Sequence, residues 1–384
     1  MKKIVFVLIA ATLSAAAVED PVKTFNELGY GTVSGRIQSL SMYRDFEGVG
    51  NGFNSTLGVL LEYTSPEFGG FDFGLGYNYA GELYDHNKSS MLLNDEIHVL
   101  NEAWLRYRML ENTTIKAGRM IDNGEVFRKD DYRQKARAIE AVQLETTEIE
   151  GLSLKLGHAI RMSNWIQVGD RADFNDFGDV FGAQDDTDGV TWGEGVFTGV
   201  DNLEIAIFNA YAYDVANLIG TRVKLDVTET TSLLGYYRHE SDVGESTGSD
   251  ADAVGLSVEQ KVGPVTLSPG YFGVRGNNLR FQEATTGINH PLGVSMMLYS
   301  GQFAEDSDTL YLKAVTKVKT TTLYALYNYT WNDTLPYDGQ ELNLVVKQPI
   351  GDQVTIALKS GLGYRDGPDN TFASDTRLFA TYNF

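Results

Sequence analysis

The sequence predicts an all-β fold: one transmembrane antiparallel β-barrel of about 18 strands, with 16 as the alternative. Three observations predict it. Side-chain character alternates with a period of two along most of the chain. Beyond the first residues, no apolar run reaches the ~20 residues a membrane helix needs. The connections between alternating segments are short and long by turns, as in barrels with short periplasmic turns and long outer loops.

Composition narrows the classes further. The 384 residues include 31 basic and 52 acidic side chains, a formal net charge of -21, with 21 Tyr, 19 Phe and no Cys. A nucleic-acid binder must present a basic surface to phosphates, so no nucleic-acid partner is expected. The aromatic content excludes a disordered chain. The lack of Cys excludes disulfide scaffolds, Cys-ligated zinc, iron–sulfur clusters and thiol catalysis. Length alone would suggest two or three soluble domains, but a closed sheet of this size needs only one.

The first element is an address. Lys2 and Lys3 precede the apolar run Ile4 to Leu13, and Ala15-Ala16-Ala17 offers small residues for cleavage. Residues 1–17 therefore read as a secretory signal peptide. Residues 18–384 are expected to form a single barrel, with 18–32 as a periplasmic N-terminal segment. An exported Cys-free chain fits a bacterial periplasm or outer membrane.

The strands follow. They are expected at roughly 33–43, 53–64, 71–81, 98–108, 113–120, 139–147, 152–162, 189–198, 203–213, 216–227, 231–241, 251–262, 264–274, 308–318, 320–331, 340–350, 352–364 and 374–384. From Phe71 to Tyr79 the odd positions are large and apolar, and the even ones are Asp, Gly, Gly and Asn. From Leu152 to Met162 the even positions carry the apolar set, with Lys155 and Arg161 among the odd ones. From Val354 to Tyr364 the even positions again face Thr355, Lys359 and glycines. Such alternation marks strands with one apolar and one polar face.

Long connections are expected at 82–97, 121–138, 163–188 and 275–307. An even strand count returns both termini to the periplasmic side. Val294 to Phe303 is itself strand-like, and keeping it in a loop preserves the alternation of loop lengths. The connection at Asp214 and Val215 is short for an outer loop.

Aromatic residues mark the expected membrane edges. Tyr77 and Tyr79, Tyr211 and Tyr213, and Tyr327, Tyr329 and Trp331 stand on the apolar parity near strand ends, which suits interfacial girdles. Tyr382 and Phe384 share one face at the C-terminus and are expected to engage the barrel-assembly machinery. A soluble β-sandwich is the alternative, but it would be a very large single sheet without a linker.

The polar parity of a transmembrane barrel faces its lumen. It carries Arg36, Arg106, Arg108, Lys155, Arg161, Arg222, Lys224, Lys313, Lys359 and Arg377, with Glu62, Glu102, Glu145, Glu204 and Glu259. Lys116 joins them if Ile115 and Ala117 face lipid. Arg119 would then face lipid too, unless a bulge follows Gly118. Such a row of cations attracts anions, carboxylates above all, and Arg offers them a matching fork. The plainer reading is that these cations pair with the lumenal glutamates and merely solvate the interior. The excess acid falls largely in the loops at 163–188 and 242–252.

The loop 121–138 differs from the other long loops by mixing both signs densely: Asp122, Glu125, Arg128, Lys129, Asp130, Asp131 and Arg133. A loop that folds into the lumen needs such internal pairing, and it would constrict the pore. An ordinary exposed loop is the alternative. The loop 275–307 is the other one long enough to fold inward.

Phe25 to Arg36, Leu100 to Tyr107, Asn112 to Arg119 and the terminal Tyr382-Asn383-Phe384 together resemble substrate-specific outer-membrane porins of the OprD type. The resemblance implies an 18-stranded barrel, a ladder of lumenal basic residues for carboxylates, and inward loops forming an eyelet with acidic residues. Arg106, Arg108 and Arg119 lie nearest the matching stretches. Passive diffusion of small solutes such as amino acids and organic acids is thereby expected, in a membrane with lipopolysaccharide. No cofactor, metal or catalytic residue is implied. A general-diffusion porin is the close variant, and an adhesin, structural surface protein or outer-membrane hydrolase the competing class. A homotrimer is compatible with a porin, though no sequence feature bears on it.

Three motifs do not carry chemistry. Gly244-Glu245-Ser246-Thr247-Gly248 matches G-x-S-x-G but lacks the strand–turn–helix context of a nucleophile elbow. The five His show no H-E-x-x-H and no close pair. Asp170, Asp173, Asp176 and Asp179 lack EF-hand spacing.

Overall fold

A computed structural model describes residues 21–48, 50–86, 96–131, 133–165, 171–183, 187–286, 298, 301–367 and 370–384. The expected signal peptide, residues 1–17, lies outside them. The chain enters through a short helix, α1 (Pro21–Glu27). The side chain of Asn26 then accepts from the Val33 N–H at 2.7 Å and donates to its carbonyl at 3.0 Å, pinning the entry to the first strand.

The strands are β1 (Thr32–Phe46), β2 (Gly50–Thr64), β3 (Phe71–His86), β4 (Ile97–Leu110), β5 (Thr113–Met120), β6 (Ala138–Ile149), β7 (Leu152–Ser163), β8 (Phe174–Asp176), β9 (Val190–Val200) and β10 (Leu203–Ala212). They continue as β11 (Ala216–Thr228), β12 (Thr231–Asp242), β13 (Ala251–Val262), β14 (Val265–Gly276), β15 (Ser307–Val318), β16 (Thr321–Asn332), β17 (Asp338–Ile350), β18 (Val354–Asp366) and β19 (Thr371–Asn383). Sequential strands pair antiparallel, and β1 closes on β19. The short β8 pairs only with the end of β7, whose own ladder passes on to β9. Eighteen strands therefore close the barrel. At the closure, the backbones of Gly35 and Phe384 exchange two hydrogen bonds of 3.1 Å.

The two faces sort as alternation requires. Leu105, Val142, Leu156, Ile207 and Leu256 stand out from the wall at 52 to 60% exposure, as lipid-facing side chains do in the absence of lipid. The opposite face carries the polar residues and, toward the outer end, buried apolar ones. Met120, Val126, Phe127, Phe177, Trp192 and Phe281 belong to one such cluster, which joins loops to wall.

All 18 expected strands are present, and most ends agree within three residues. β3 runs farther, to His86, because its ladder with β2 continues past the apolar alternation. Among the described residues five short elements were not expected: α1, β8, the helix α2 (Phe177–Phe181), a π-turn at Gln282–Thr286 and a turn at Gly301–Phe303. Within the strand-like stretch Val294 to Phe303, Gly301–Phe303 forms a 3-10 turn. Apart from Leu298, the rest of that stretch lies outside the described residues.

Candidate functional site in the barrel lumen

The segment between β5 and β6 crosses from one wall to another. Asp122 receives the Lys155 ammonium of β7 at 2.5 Å. Glu194 of β9 accepts the backbone N–H groups of Glu125 and Val126 at 2.9 Å each. Gly124 makes room for this, since a Cβ there would lie 2.2 Å from Glu194 Oε2. Glu125 binds Arg222 of β11 at 2.9 Å. Phe127 packs edge-on against Trp192 of β9, with ring centroids 4.9 Å apart.

The chain then returns to the far wall. Asp131 holds Arg36 of β1 through Nη2 at 2.6 Å. The Arg133 carbonyl accepts from Gln38 at 2.5 Å, Gln134 donates to Thr56 of β2 at 2.7 Å, and the Ala136 carbonyl accepts from Asn101 of β4 at 3.3 Å. These partners sit on the polar face of the sheet, so the loop lies inside the barrel.

Its buried charges are held by the chain itself. Asp130 pairs with Arg137 at 2.9 Å, and burial raises its carboxyl to about 6. Arg137 also donates to the Thr285 carbonyl at 2.9 Å, tying in the loop after β14. Burial lowers the Lys135 ammonium to about 7. Burial beside Arg377 and Arg44 lowers the Arg133 guanidinium well below its ordinary value, and its Cζ lies 4.7 Å from the Trp165 ring. Arg128 reaches Glu125 at 3.5 Å, and Lys129 is exposed.

Most of the expected wall cations have an acidic partner. Arg106 grips Asp72 (Nε at 2.9 Å), and Arg108 grips Glu67 (2.9 Å). Arg222 binds Glu204 at 2.6 Å besides Glu125. Lys224 lies 3.6 Å from Asp226. Arg377 makes two bonds to Asp375, at 2.9 and 2.8 Å. Lys359 Nζ sits 4.7 Å from the Phe379 ring. Lys313 lines a cavity of about 560 Å³ and makes no hydrogen bond or ion pair among the described residues.

Two of the expected residues fall on the other face. Lys116 is in register with Arg106 and Gln143 on the lumenal side, over Trp104 at 4.3 Å. Its ladders continue without a shift through Gly118, so no bulge turns Arg119 inward. On β7 a shift between Glu140 and Ala141 leaves Ile160 unpaired and reverses the parity of Arg161. Arg119, Glu140, Arg161 and Asp176 are thus a cross-strand row opposite the lumenal set. Their ion pairs measure 3.4 Å for Arg119–Glu140 and 3.0 Å for Arg161–Asp176.

Sequence reasoning missed Arg44, Glu194 and Arg238. Arg44 shares Asp375 with Arg377 (Nε at 2.9 Å) and lies one residue past the expected strand end. Arg238 pairs with Glu240, both wholly buried. Tyr236 on the same face is apolar and buried too, which erases the alternation that would have exposed Arg238. Trp192 hides Glu194 in the same way.

A closed barrel with a loop drawn across its lumen defines the class: an outer-membrane porin. The model of the OprD family of outer membrane porins matches residues 102–313, and the chain belongs to that family. OccAB4 of Acinetobacter baumannii is similar over 92% of this chain and 97% of its own, at 17% identity and a TM-score of 0.75. OpdK of Pseudomonas aeruginosa, solved with vanillate, covers 92% of this chain and 98% of its own, at 14% identity and a TM-score of 0.76. OccD3 (OpdP) of P. aeruginosa is 19% identical, with coverage of 92% and 91% and a TM-score of 0.72. At these identities the likeness is one of fold. No curated protein matches the chain.

Proposed function

We propose that this porin passes small carboxylate-bearing solutes, guided by lumenal cations and sized by the 121–138 loop. The observation that carries the reading is the cavity of about 560 Å³ beside that loop, lined by Arg128, Lys155, Arg222, Lys224 and Lys313 against Glu125, Glu194 and Glu259. Cations outnumber carboxylates there although the whole chain is strongly acidic. In a narrow low-dielectric passage, such an excess raises the local concentration of anions. OpdK, solved with the carboxylate vanillate, adds support by likeness of fold.

A general-diffusion porin is the second reading, favoured by the pairing of most wall cations. Single-channel conductance in planar bilayers separates the two. On the proposed reading, small carboxylates interrupt the open current, and Lys313→Gln weakens the block about three- to tenfold by deleting one unpaired charge-assisted contact. Steady conductance that no carboxylate interrupts would favour general diffusion. The proposal also includes cleavage of residues 1–17 and recognition of Tyr382 and Phe384 during assembly.

A further inference from the structure

We infer that Glu125 is a tethered competitor: it occupies Arg222 in place of the solute's carboxylate and so sets how tightly the pore holds its cargo. This rests on the carboxylate reading above. The Arg222 guanidinium borders the cavity, but the chain's own carboxylates already engage each of its three nitrogens. Glu125 Oε1 takes Nε at 2.9 Å, and Glu204 Oε1 takes Nη1 at 2.6 Å. Glu204 stands on a barrel strand; Glu125 stands on the loop.

The loop is held so that Glu125 returns to the same place. Glu194 grips the N–H groups of Glu125 and Val126 at 2.9 Å each, and Arg128 approaches the other Glu125 oxygen at 3.5 Å. A carboxylate entering the cavity therefore meets Lys313 unpaired, and takes the Nε–Nη2 fork of Arg222 only by displacing Glu125. One carboxylate replaces another, with the same charge and the same donors, so the exchange is close to even. A conducting pore needs that balance, with binding strong enough to admit the solute and weak enough to release it.

Glu125→Gln removes the competing charge and keeps an oxygen for Arg222. Glu259→Gln removes the same charge from the same cavity, but Glu259 has no bond to Arg222 among the described residues. Single-channel block by acetate and by benzoate is measured for wild type, both variants, Arg222→Gln, and Glu125→Gln combined with Arg222→Gln. Competition predicts that Glu125→Gln tightens the block about tenfold, because charge-assisted bonds are roughly twice as strong as neutral ones. Glu259→Gln should tighten it about twofold, through its charge alone. In the Arg222→Gln background the Glu125 effect should fall to the roughly twofold gain of its charge alone.

Equal gains from Glu125→Gln and Glu259→Gln, or a roughly tenfold gain from Glu125→Gln that survives without Arg222, would overturn the inference and leave carboxylate transport standing. Conductance without block in any variant would overturn both. If Glu125→Gln does not refold into channels, Glu125→Asp, one methylene shorter, should give an intermediate gain, and an unchanged block would overturn the inference.

Discussion

Lys135 lies wholly inside the protein, where three neutral acceptors surround its ammonium: the Ala136 carbonyl at 2.9 Å, the Ser163 hydroxyl at 2.8 Å and the Asn164 carbonyl at 2.5 Å. Burial pushes its pKa from 10.5 down to about 7. Arg137 adds to the fall, and Asp131 and Asp173 oppose it. The docked loop thus favours the neutral amine, while an undocked or unfolded chain keeps the proton up to 10.5. Between these limits the unfolded state binds more protons, so stability rises with pH, by about 1.4 kcal/mol per unit. Below pH 7 the penalty is complete, on the order of 5 kcal/mol for a shift of this size. Lys135→Met keeps the volume and deletes the charge, but leaves acceptors at Ser163 and Asn164 without their donor, at a cost of about 1–3 kcal/mol. The variant should therefore be more stable than wild type at pH 7, by roughly 3 kcal/mol, and less stable above pH 10. Guanidinium unfolding in detergent, followed by Trp fluorescence at each pH from 7 to 10, measures the difference. A gap that stays constant over this range would refute the argument, because it would mean the amine is charged throughout.

Two further substitutions probe how the loops are held. Gly58→Ala places a methyl 2.1 Å from Gln134 Oε1 and should force Gln134 off Thr56. We expect a loss of about 1–3 kcal/mol and noisier open-channel current, with single-channel recording as the check. Glu240→Gln leaves the buried Arg238 guanidinium without its counter-charge. Breaking a buried pair costs about 3–5 kcal/mol, so the folded band in heat-modifiability gels should be lost at a lower temperature than in wild type.

The fold was legible because lipid and lumen impose a strict alternation on each strand, and that alternation is written in the residue types. The lumenal site was legible only where parity runs unbroken. Arg36, Lys155 and Arg222 could be assigned for that reason. Arg161 could not, because the extra residue at Ile160 adds one apolar side chain to an apolar strand and leaves no mark in composition. Arg238 and Glu194 were hidden by a different cause. Their strands bear aromatic residues inward, against the loops, so the pattern no longer separates the faces. The charge mixture of 121–138 signalled internal pairing, but its ionic partners lie as far away as Arg222, 97 residues from Glu125. No local pattern encodes such a contact.

The ion pairs of the lumen divide by what holds each partner. Arg377–Asp375 and Arg238–Glu240 each join two residues of one wall strand, with at most 7% of either side chain exposed, and neither can separate without moving that strand. Arg222–Glu125 and Lys155–Asp122 join the wall to the loop, so they can open while the barrel stays intact. On the proposed reading these are the pairs a carboxylate would exchange, and each exchange would also release one anchor of the loop that narrows the pore. Selectivity and loop position would then depend on the same few contacts. A solute that binds Arg222 well would widen its own path, and a neutral solute of equal size would not.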